Sequence, residues 1–317
     1  MKIVVIGSGL AGVTVAEALA KNHEVTVVTA ERHGYYSRPR LSHGLSCDDA
    51  AAARIVLKPF AALGPVKVLI ETVEDIDRSR KVVNFADGNL KYDVLILATG
   101  SAARVPPVLV PYRFAFRILN SFEDLLTLRA RRAAHVAHGK RPRWAIIGGG
   151  LIGCELASDL SAAGDAVTIL HREDRLLELQ LDPAQSAALL AHFERCGVEV
   201  RLSQDVRSID PQAFDETVVC TGFVPRTELA RDAGLHVARG IVVDSYLMTA
   251  DESIFAVGDV AEVGGRLYPF VSPIRSQALW LAEHIEGRSA APWAPPRFSP
   301  IAKILGFKLP AAALTPA

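Results

Sequence analysis

Two glycine triplets carry the clearest chemical signal in the sequence, because each has the spacing Gly-x-Gly-x-x-Gly. The triplets are Gly7, Gly9 and Gly12, and Gly148, Gly150 and Gly153. In such a triplet the first glycine permits a tight turn, the second lets the backbone approach a diphosphate, and the third allows close packing of a helix on a strand. The diphosphate then lies against free N–H groups at the positive end of the helix. The sequence therefore predicts two sites for ligands that contain a diphosphate.

The cysteines offer no comparable pattern. Cys47, Cys154, Cys196 and Cys220 are scattered, and no Cys-x-x-Cys pair occurs. Dithiol chemistry needs two neighbouring thiols, and a metal site needs clustered ligands. We therefore expect neither a redox-active cysteine pair nor a bound metal.

The elements around the two triplets repeat one another, and this repetition predicts the fold. Apolar strands at residues 2–6 and 144–147 enter the glycines, helical patterns follow, and β-branched strands come next at 25–28 and 167–170. A strand–helix–strand unit is the context in which the glycine triplet gains its meaning. The sequence therefore predicts an α/β protein with two Rossmann-like domains.

Three further strand ends carry residues suited to ligand binding. The apolar strand 92–98 ends in Thr99-Gly100, and its echo at 217–220 ends in Thr221-Gly222. A late strand at 253–257 leads to Gly258-Asp259. Asp87-Gly88 indicates a hairpin, and Ser121 to Asp124 has the form of a capping box that begins a helix.

Composition and charge exclude several classes of protein. Lys plus Arg and Asp plus Glu both number 35, so there is no reason to expect nucleic acid or an anionic membrane as a partner. No apolar run approaches the length of a membrane helix, and residues 1–6 are too short for a signal peptide, so we expect a cytoplasmic protein. The arginines of residues 129–132, with Lys140, Arg141 and Arg143, are expected to form a solvated face.

Several segments together resemble the rubredoxin and ferredoxin reductases, which are flavoproteins with two dinucleotide-binding domains. The segments are Tyr-Ser-Arg-Pro-Arg-Leu-Ser at 36–42, Gly-Leu-Ile-Gly-Cys-Glu at 150–155, Gly-Phe-Val-Pro-Arg-Thr-Glu-Leu at 222–229 and Ile-Phe-Ala-Val-Gly-Asp at 254–259. The resemblance is nearest to rubredoxin reductases and extends over residues 1–290, with a fainter echo at 302–306. It implies an FAD-binding domain of residues 1–108 and 234–290, an inserted NAD(P)H-binding domain of residues 109–233, and a tail of residues 291–317 that is the remnant of an interface domain.

The resemblance also implies roles for individual residues. Gly7, Gly9 and Gly12 would hold the FAD diphosphate, Glu31 its ribose, and Gly148, Gly150, Gly153 and Gly222 the nicotinamide dinucleotide. Arg38 and Pro39 would line the flavin, Thr99 and Gly100 would lie against the FAD, and Asp259 would accept hydrogen bonds from the ribityl chain. Glu155 falls where relatives place a glutamate beside the reactive edge of the flavin, and either His43 or Arg38 would be its basic partner.

The choice between the two nicotinamides depends on the end of the second strand–helix–strand unit. His171 and Arg172 come first there, and cations suit the 2′-phosphate of NADPH, although Glu173 and Asp174 follow at once. We therefore expect NADPH to be favoured over NADH.

Two departures from the relatives affect the expected partners. Residues 204–216 leave room for only a vestige of a three-stranded hairpin, and the chain ends at Ala317, before a third domain that in relatives forms the dimer interface and covers one side of the flavin. We therefore expect a second subunit or a partner protein to cover this face, with residues 298–317 contributing.

The leading functional hypothesis is a reductase that takes hydride from NAD(P)H to FAD and passes electrons to a small iron or iron–sulfur carrier, such as a rubredoxin or ferredoxin. A flavin oxidase, or a reductase subunit within a fixed complex, is the second possibility. The third is a non-catalytic flavoprotein that only binds nucleotides.

Overall fold

The computed structural model describes residues 1–208, 210, 213–298 and 302–308. The strands of the described chain are β1 Lys2–Ile6, β2 Glu24–Thr29, β3 Tyr35–Tyr36, β4 Val56–Lys58, β5 Lys67–Ile70, β6 Val73–Asp77, β7 Val82–Phe85, β8 Gly88–Lys91, β9 Val94–Leu97, β10 Ser101–Ala103, β11 Arg117–Ile118, β12 Arg143–Ile147, β13 Ala166–Leu170, β14 Glu199–Arg201, β15 Glu216–Val219, β16 Phe223–Pro225, β17 Ile241–Val243, β18 Ile254–Ala256, β19 Ala261–Val263 and β20 Arg266–Leu267. The α-helices are α1 Leu10–Leu19, α2 Leu41–Gly44, α3 Asp49–Ala53, α4 Phe122–Ala137, α5 Leu151–Ala162, α6 Pro183–Arg195, α7 Glu228–Asp232 and α8 Val271–Ile285. Short 3₁₀ helices cover Arg38–Arg40, Phe60–Ala62, Pro107–Ala115, Val206–Ser208 and Gly258–Val260.

The first large sheet has the strand order β18-β9-β1-β2-β5, and all of its pairings are parallel. Its central strands are apolar along almost their whole length, as expected for a parallel sheet that is covered on both faces. Helices α1 and α8 pack against each other beside it. The core of this unit is the larger of the two main apolar clusters.

The second large sheet repeats the arrangement with the order β11-β15-β12-β13-β14, again entirely parallel. All five of its strands lie between β9 and β18 in the chain, so this unit is inserted into the first. The predicted fold of two Rossmann-like domains, one inserted into the other, is therefore confirmed.

A short antiparallel pair, β10 with β16, joins the two units where the chain crosses between them. Smaller sheets surround the first unit, with the orders β6-β7-β8, β17-β19-β20 and β3-β4. The predicted hairpin is present as β7–β8, and its turn residues are Ala86 and Asp87, with Gly88 as the first residue of β8. In the region 204–216 the described residues include the 3₁₀ helix Val206–Ser208, while residues 209, 211 and 212 lie outside the described chain.

Helix α4 begins at the predicted capping box. The Ser121 hydroxyl accepts a hydrogen bond from the Asp124 N–H at 3.1 Å, and the Asp124 carboxylate accepts one from the Ser121 N–H at 2.9 Å. These reciprocal bonds satisfy two N–H groups at the start of the helix. The Asp124 carboxylate also accepts a hydrogen bond from the N–H of Asn120, the residue before the cap, at 2.9 Å.

The prediction of a solvated cationic face is wrong for Arg129 and Arg132, whose side chains are largely buried, whereas the other predicted members of this face are exposed, namely Arg131, Lys140, Arg141 and Arg143. Arg132 is 14% exposed and forms two hydrogen bonds, of 2.6 and 3.0 Å, to the fully buried Asp165 carboxylate. Arg131 binds the buried Glu216 at 2.7 Å. The sequence alone does not show these ion pairs, because the acidic partners lie far from the arginines along the chain.

Candidate functional site

The first glycine loop connects β1 to α1 and has the geometry of a diphosphate site. A Cβ on Gly7 would lie 2.2 Å from the Ala98 carbonyl oxygen, and one on Gly12 would lie 1.9 Å from the Gly7 carbonyl oxygen. Both contacts are far inside van der Waals range, so these positions require glycine for close packing. A Cβ on Gly9, in contrast, would meet no atom within 4 Å. Gly9 therefore borders open space, at the N-cap of a helix that has no side-chain cap.

The second glycine loop, between β12 and α5, reproduces this geometry closely. A Cβ on Gly148 would lie 2.3 Å from the Cys220 carbonyl oxygen, and one on Gly153 would lie 2.0 Å from the Gly148 carbonyl oxygen. Gly150 again borders open space and is an N-cap without a side-chain hydrogen bond. The first N–H groups of both helices therefore lack side-chain caps, and they suit an anion.

A continuous chain of polar contacts links three of the predicted site residues of the first unit. Arg38 pairs with Glu31 on one side and donates to the Asn120 carbonyl on the other. The Asn120 side-chain amide donates to the Ser101 carbonyl at 3.0 Å, and the Ser101 hydroxyl donates to Asp259 at 2.7 Å. Residues 31, 38 and 259, far apart in sequence, are thus connected by one series of hydrogen bonds and an ion pair.

The surroundings of Asp259 shift its protonation equilibrium towards the neutral form. Burial raises the pKa of the Asp259 carboxyl, while the hydrogen bond from Ser101 and the charge of Arg38 oppose the rise. Sequence reasoning missed Asn120 and Ser101. Ser101 directly follows the Thr99-Gly100 strand end, but nothing local marks Asn120, whose role depends on the start of α4.

The two Thr-Gly strand ends face each other across the β10–β16 crossing in a reciprocal arrangement. The Thr99 hydroxyl donates to the Arg226 carbonyl at 2.8 Å, and the Thr221 hydroxyl donates to the Arg104 carbonyl at 2.6 Å. The Gly100 carbonyl accepts from the Arg226 N–H, and the Gly222 carbonyl accepts from the Arg104 N–H. Both glycines have positive φ, +67° and +94°, which this sharp exit requires. These contacts join the two units. The hydrogen of the Thr99 hydroxyl is donated to the Arg226 carbonyl in one of them.

Glu155 is the fifth residue of α5, just past the first turn, and α2 packs against this helix. The Ser42 hydroxyl donates to one carboxylate oxygen at 3.3 Å, and the Lys303 N–H donates to the other at 2.9 Å. His43 contributes charge to the surroundings of Glu155, but its Nδ1 pairs with Asp159, one turn further along α5. The structure thus brings His43 and Glu155 into one cluster and gives His43 a different direct partner from the one that sequence reasoning expected.

The two members of this cluster have shifted protonation equilibria. Burial raises the pKa of the Glu155 carboxyl, and the hydrogen bond from Lys303, the charge of His43 and the hydrogen bond from Ser42 act against it. The hydrogen bond to Asp159 raises the pKa of His43, with burial opposing. The His43 Nε2 is buried and has no hydrogen-bond partner among the described residues.

His171 is not on the surface beside Arg172, as its place in the sequence suggested. It is 7% exposed and lies beneath the second glycine loop, where its Nδ1 accepts a hydrogen bond from the Gly149 N–H at 3.0 Å. Its Nε2 lies 3.1 Å from the Glu178 carboxylate. Arg172 is 86% exposed at its side chain and pairs with Glu173. Arg172 is therefore the accessible cation of the two.

The four cysteines form no disulfide, and two of them are buried in surroundings that do not favour thiol chemistry. Burial raises the pKa of Cys154 well above its usual range and that of Cys220 to about 12, so both stay protonated. Cys47 is partly buried and Cys196 is exposed. Among the described residues no cluster of three or more His, Cys, Asp or Glu could hold a metal ion. No helix in the same part of the chain is long and apolar enough to cross a membrane.

A family model described as pyridine nucleotide-disulphide oxidoreductase matches residues 1–278. The chain belongs to this family. It is accordingly an FAD-dependent oxidoreductase of pyridine nucleotides, and the predicted resemblance to rubredoxin reductases is confirmed. Among its relatives are the nitric oxide reductase FlRd-NAD(+) reductases of Salmonella heidelberg and Shigella boydii. The first is 34% identical over 308 residues, 91% of this chain and 80% of the relative, and the second is 34% identical over 307 residues, 90% and 79%.

Solved structures of similar proteins agree with this family assignment. NADH:rubredoxin oxidoreductase from Clostridium acetobutylicum superimposes with a TM-score of 0.85 at 27% identity, covering 96% of this chain and 80% of that one. The putidaredoxin reductase in a covalent complex with putidaredoxin gives a TM-score of 0.83 at 27% identity, covering 96% and 79%.

The residues of this chain fit the cofactors of the family. The open space at Gly9 and Gly150, bordered by helix N-termini without side-chain caps, has the chemistry that a diphosphate needs. The Asp259 carboxyl, set on the Gly258–Val260 turn at the end of β18, offers an acceptor for sugar-alcohol hydroxyls.

Proposed function

We propose that this protein takes hydride from a nicotinamide dinucleotide and delivers the electrons one at a time to a small iron or iron–sulfur carrier. The observation that supports this most strongly is the pair of matching glycine loops, each with its middle glycine open and its outer glycines closed by backbone contacts. FAD, when bound, supplies the chemistry by accepting two electrons together and releasing them singly. Because no amino-acid nucleophile is needed, the absence of paired thiols agrees with this reaction.

We assign the FAD to the first unit. Gly7, Gly9 and Gly12 would hold its diphosphate and Glu31 its ribose, with Arg38 orienting Glu31 through their ion pair. Asp259 would bind the ribityl chain, while Pro39, Thr99 and Gly100 would line the same cleft. We propose domain boundaries of 1–108 with 234–290 for FAD, 109–233 for the nicotinamide and 291–317 for a tail, and the strand orders of the two large sheets support this division.

We assign the nicotinamide to the second unit, with Gly148, Gly150, Gly153 and Gly222 on its path. Glu155, two residues past this triplet, would orient the nicotinamide ring. Ser42 and Lys303 hold its carboxylate oxygens from opposite elements. His43, whose Nε2 has no partner in the described chain, would hold a proton beside this carboxylate. Arg38 stays the alternative basic partner, although its guanidinium is engaged with Glu31 and Asn120.

The preference for NADPH over NADH stays a prediction. Its support is now Arg172, because the His171 ring is turned beneath the loop and is engaged at both nitrogens. The similar reductases of Salmonella and Shigella are named for NAD(+), which supports NADH instead. Arg172→Ala separates the two: it lowers the affinity for NADPH alone if Arg172 binds the 2′-phosphate, and it leaves both nicotinamides unaffected otherwise.

The proposed acceptor is a small redox protein of the rubredoxin or ferredoxin class. Similar proteins are named for flavorubredoxin, rubredoxin and putidaredoxin, which are small redox carriers. We further propose that a second subunit or this carrier covers the flavin face, and the exposed apolar side chain of Val271, at the start of α8, would lie in such a contact. The cytoplasmic location is part of the same proposal.

Anaerobic stopped-flow mixing of the FAD-loaded protein with NADH or NADPH tests this function. We expect rapid loss of the flavin absorbance, followed by reoxidation when a rubredoxin or ferredoxin is added. Rapid reoxidation by oxygen alone, with no response to any carrier, would identify an oxidase. A flavin that neither nicotinamide reduces would refute the proposal and leave a nucleotide-binding flavoprotein without this activity.

A further inference from the structure

A short C-terminal segment, residues 302–308, lies against the nicotinamide-binding unit although the chain that leads to it belongs to the other unit. Upstream, Trp293 is 5% exposed within the core of the first unit. Ala302 and Ile304, at 4% and 5% exposed, lie in the core of the second. We call residues 302–308 the strap, since the chain crosses from one unit to the other to reach it.

Three hydrogen bonds hold the strap on helices α5 and α6. The Lys303 N–H donates to Glu155 at 2.9 Å, and the Leu305 N–H donates to the Ser158 hydroxyl at 2.9 Å. The Leu305 carbonyl accepts from His192 Nε2 at 2.9 Å. The His192 ring also packs against the strap residue Phe307, with ring centroids 5.4 Å apart. The backbone of Leu305 thus anchors the strap to α5 and α6, while the N–H of Lys303 binds the candidate active-site acid, Glu155.

We propose that the strap is a positioning element for Glu155, with the Lys303 N–H holding the carboxylate in the orientation that hydride transfer requires. This inference rests on the proposed function. Only two donors reach the Glu155 carboxylate within the described chain, Ser42 from α2 and Lys303 from the strap, and the Lys303 bond is shorter by 0.4 Å (3.3 against 2.9 Å). The strap bond is therefore the main directional constraint on this side chain.

The charged and titratable groups around Glu155 determine how its ionisation would change if the hydrogen bond from the Lys303 N–H were lost. His43 on α2 and the Lys303 side chain both favour the ionised carboxylate, and Asp159 on α5 acts through His43. A carboxylate that loses one backbone N–H donor while staying buried becomes easier to protonate, by about one pH unit. Loss of the Lys303 N–H therefore predicts an upward shift in the ionisation of Glu155.

The first test compares Lys303→Pro with Lys303→Ala. Both remove the ammonium group, but only proline removes the N–H. The readout is the pH dependence of anaerobic flavin reduction at saturating NADH, with Glu155→Gln used to identify the step that belongs to Glu155. We expect this step to move upward by about one pH unit in Lys303→Pro relative to Lys303→Ala. Equal profiles for the two variants would overturn the inference.

The second test compares Ile304→Asn with Leu305→Asn, which place the same polar group at adjacent strap positions. Ile304 is buried, whereas the Leu305 side chain is 54% exposed and its anchoring contacts come from its backbone. We expect Ile304→Asn to release the strap and lower the limiting rate of flavin reduction roughly tenfold, with the nicotinamide affinity within about twofold. Leu305→Asn is expected to match the wild type, and equal effects of the two would contradict the role of the strap.

A third readout does not depend on activity. Amide hydrogen exchange in residues 302–308 is expected to be slow in the wild type and in Glu155→Gln, which keeps an acceptor oxygen, and faster in Glu155→Ala. Fast exchange in the wild type would overturn the strap even if the flavin is reduced normally. If these amides exchange slowly but neither NADH nor NADPH reduces the flavin, the strap contact is supported and the proposed function is refuted. If Glu155→Gln removes no step from the pH profile, the strap does not act through Glu155 and the inference fails.

Discussion

Replacing single glycines of the second loop by alanine separates its packing role from its proposed ligand role. In Gly153→Ala the new methyl group would lie 2.0 Å from the Gly148 carbonyl oxygen, whereas ordinary carbon–oxygen contacts exceed 3 Å. Helix α5 and the loop must therefore separate by about 1 Å, and overpacking of this kind costs about 1–3 kcal/mol. For a protein of this size such a loss lowers the apparent Tm by roughly 2–5 °C.

Gly150→Ala is the matched control, because it adds the same methyl group three residues away in the same loop. Its φ of −81° suits alanine, and the methyl group meets no atom within 4 Å. As an N-cap change it costs below about 1 kcal/mol of stability. The methyl group does project into the space proposed for the dinucleotide diphosphate. We therefore expect the affinity for the nicotinamide to fall at least tenfold, which corresponds to about 1.4 kcal/mol.

The assay combines thermal unfolding with titration of the oxidised, FAD-loaded protein with the oxidised nicotinamide. The reasoning predicts opposite profiles, with Gly153→Ala unstable and Gly150→Ala stable but weakly binding. Wild-type affinity in Gly150→Ala would show that the diphosphate does not occupy this space. Equal loss of stability in both variants would show that the distances to the neighbouring carbonyl oxygens do not control the packing.

The remaining predictions concern stability, pH and cofactor choice. Asp165→Ala leaves a buried arginine without its partner, so urea unfolding is expected to show a loss of about 3–5 kcal/mol, against below about 1 kcal/mol for the exposed pair removed in Asp215→Ala. Similar losses in the two variants would contradict this. The hydrogen bond to Asp159 raises the pKa of His43 in the folded state. The His43–Asp159 pair therefore contributes its full stabilisation below the pKa of histidine in the unfolded chain, about 6.5. This stabilisation is lost as pH rises through the folded-state pKa. The stability difference between wild type and His43→Gln should therefore shrink with rising pH, and a difference that grows would refute the assignment. Kinetics of Arg172→Ala with both nicotinamides are expected to show a higher KM for NADPH alone, and an equal change for NADH would exclude a role in binding the 2′-phosphate.

Contacts between distant residues explain where sequence reasoning stopped. His171 follows a strand end, and local sequence could not show whether its ring points outward to a ligand or inward beneath Gly149. The burial of Arg132 could not be predicted for the same reason, since its partner Asp165 lies 33 residues further along the chain. Asn120 and Ser101, which connect Arg38 to Asp259, have no motif at all.

The sequence by itself determined the architecture and the class of cofactor. Glycine spacing between a strand and a helix is a local steric requirement, so both nucleotide loops and the repeated strand–helix–strand units follow from neighbouring residues. The insertion of one unit into the other and the identity of FAD followed from the resemblance of several motifs to those of rubredoxin reductases. Only the tertiary structure decided which charged groups meet: the pairing of His43 with Asp159, the burial of His171 and the contact of the strap with Glu155. Apart from the burial of His171, those contacts join residues more than 80 positions apart in the chain. Whether two such residues meet depends on how whole sheets and helices pack.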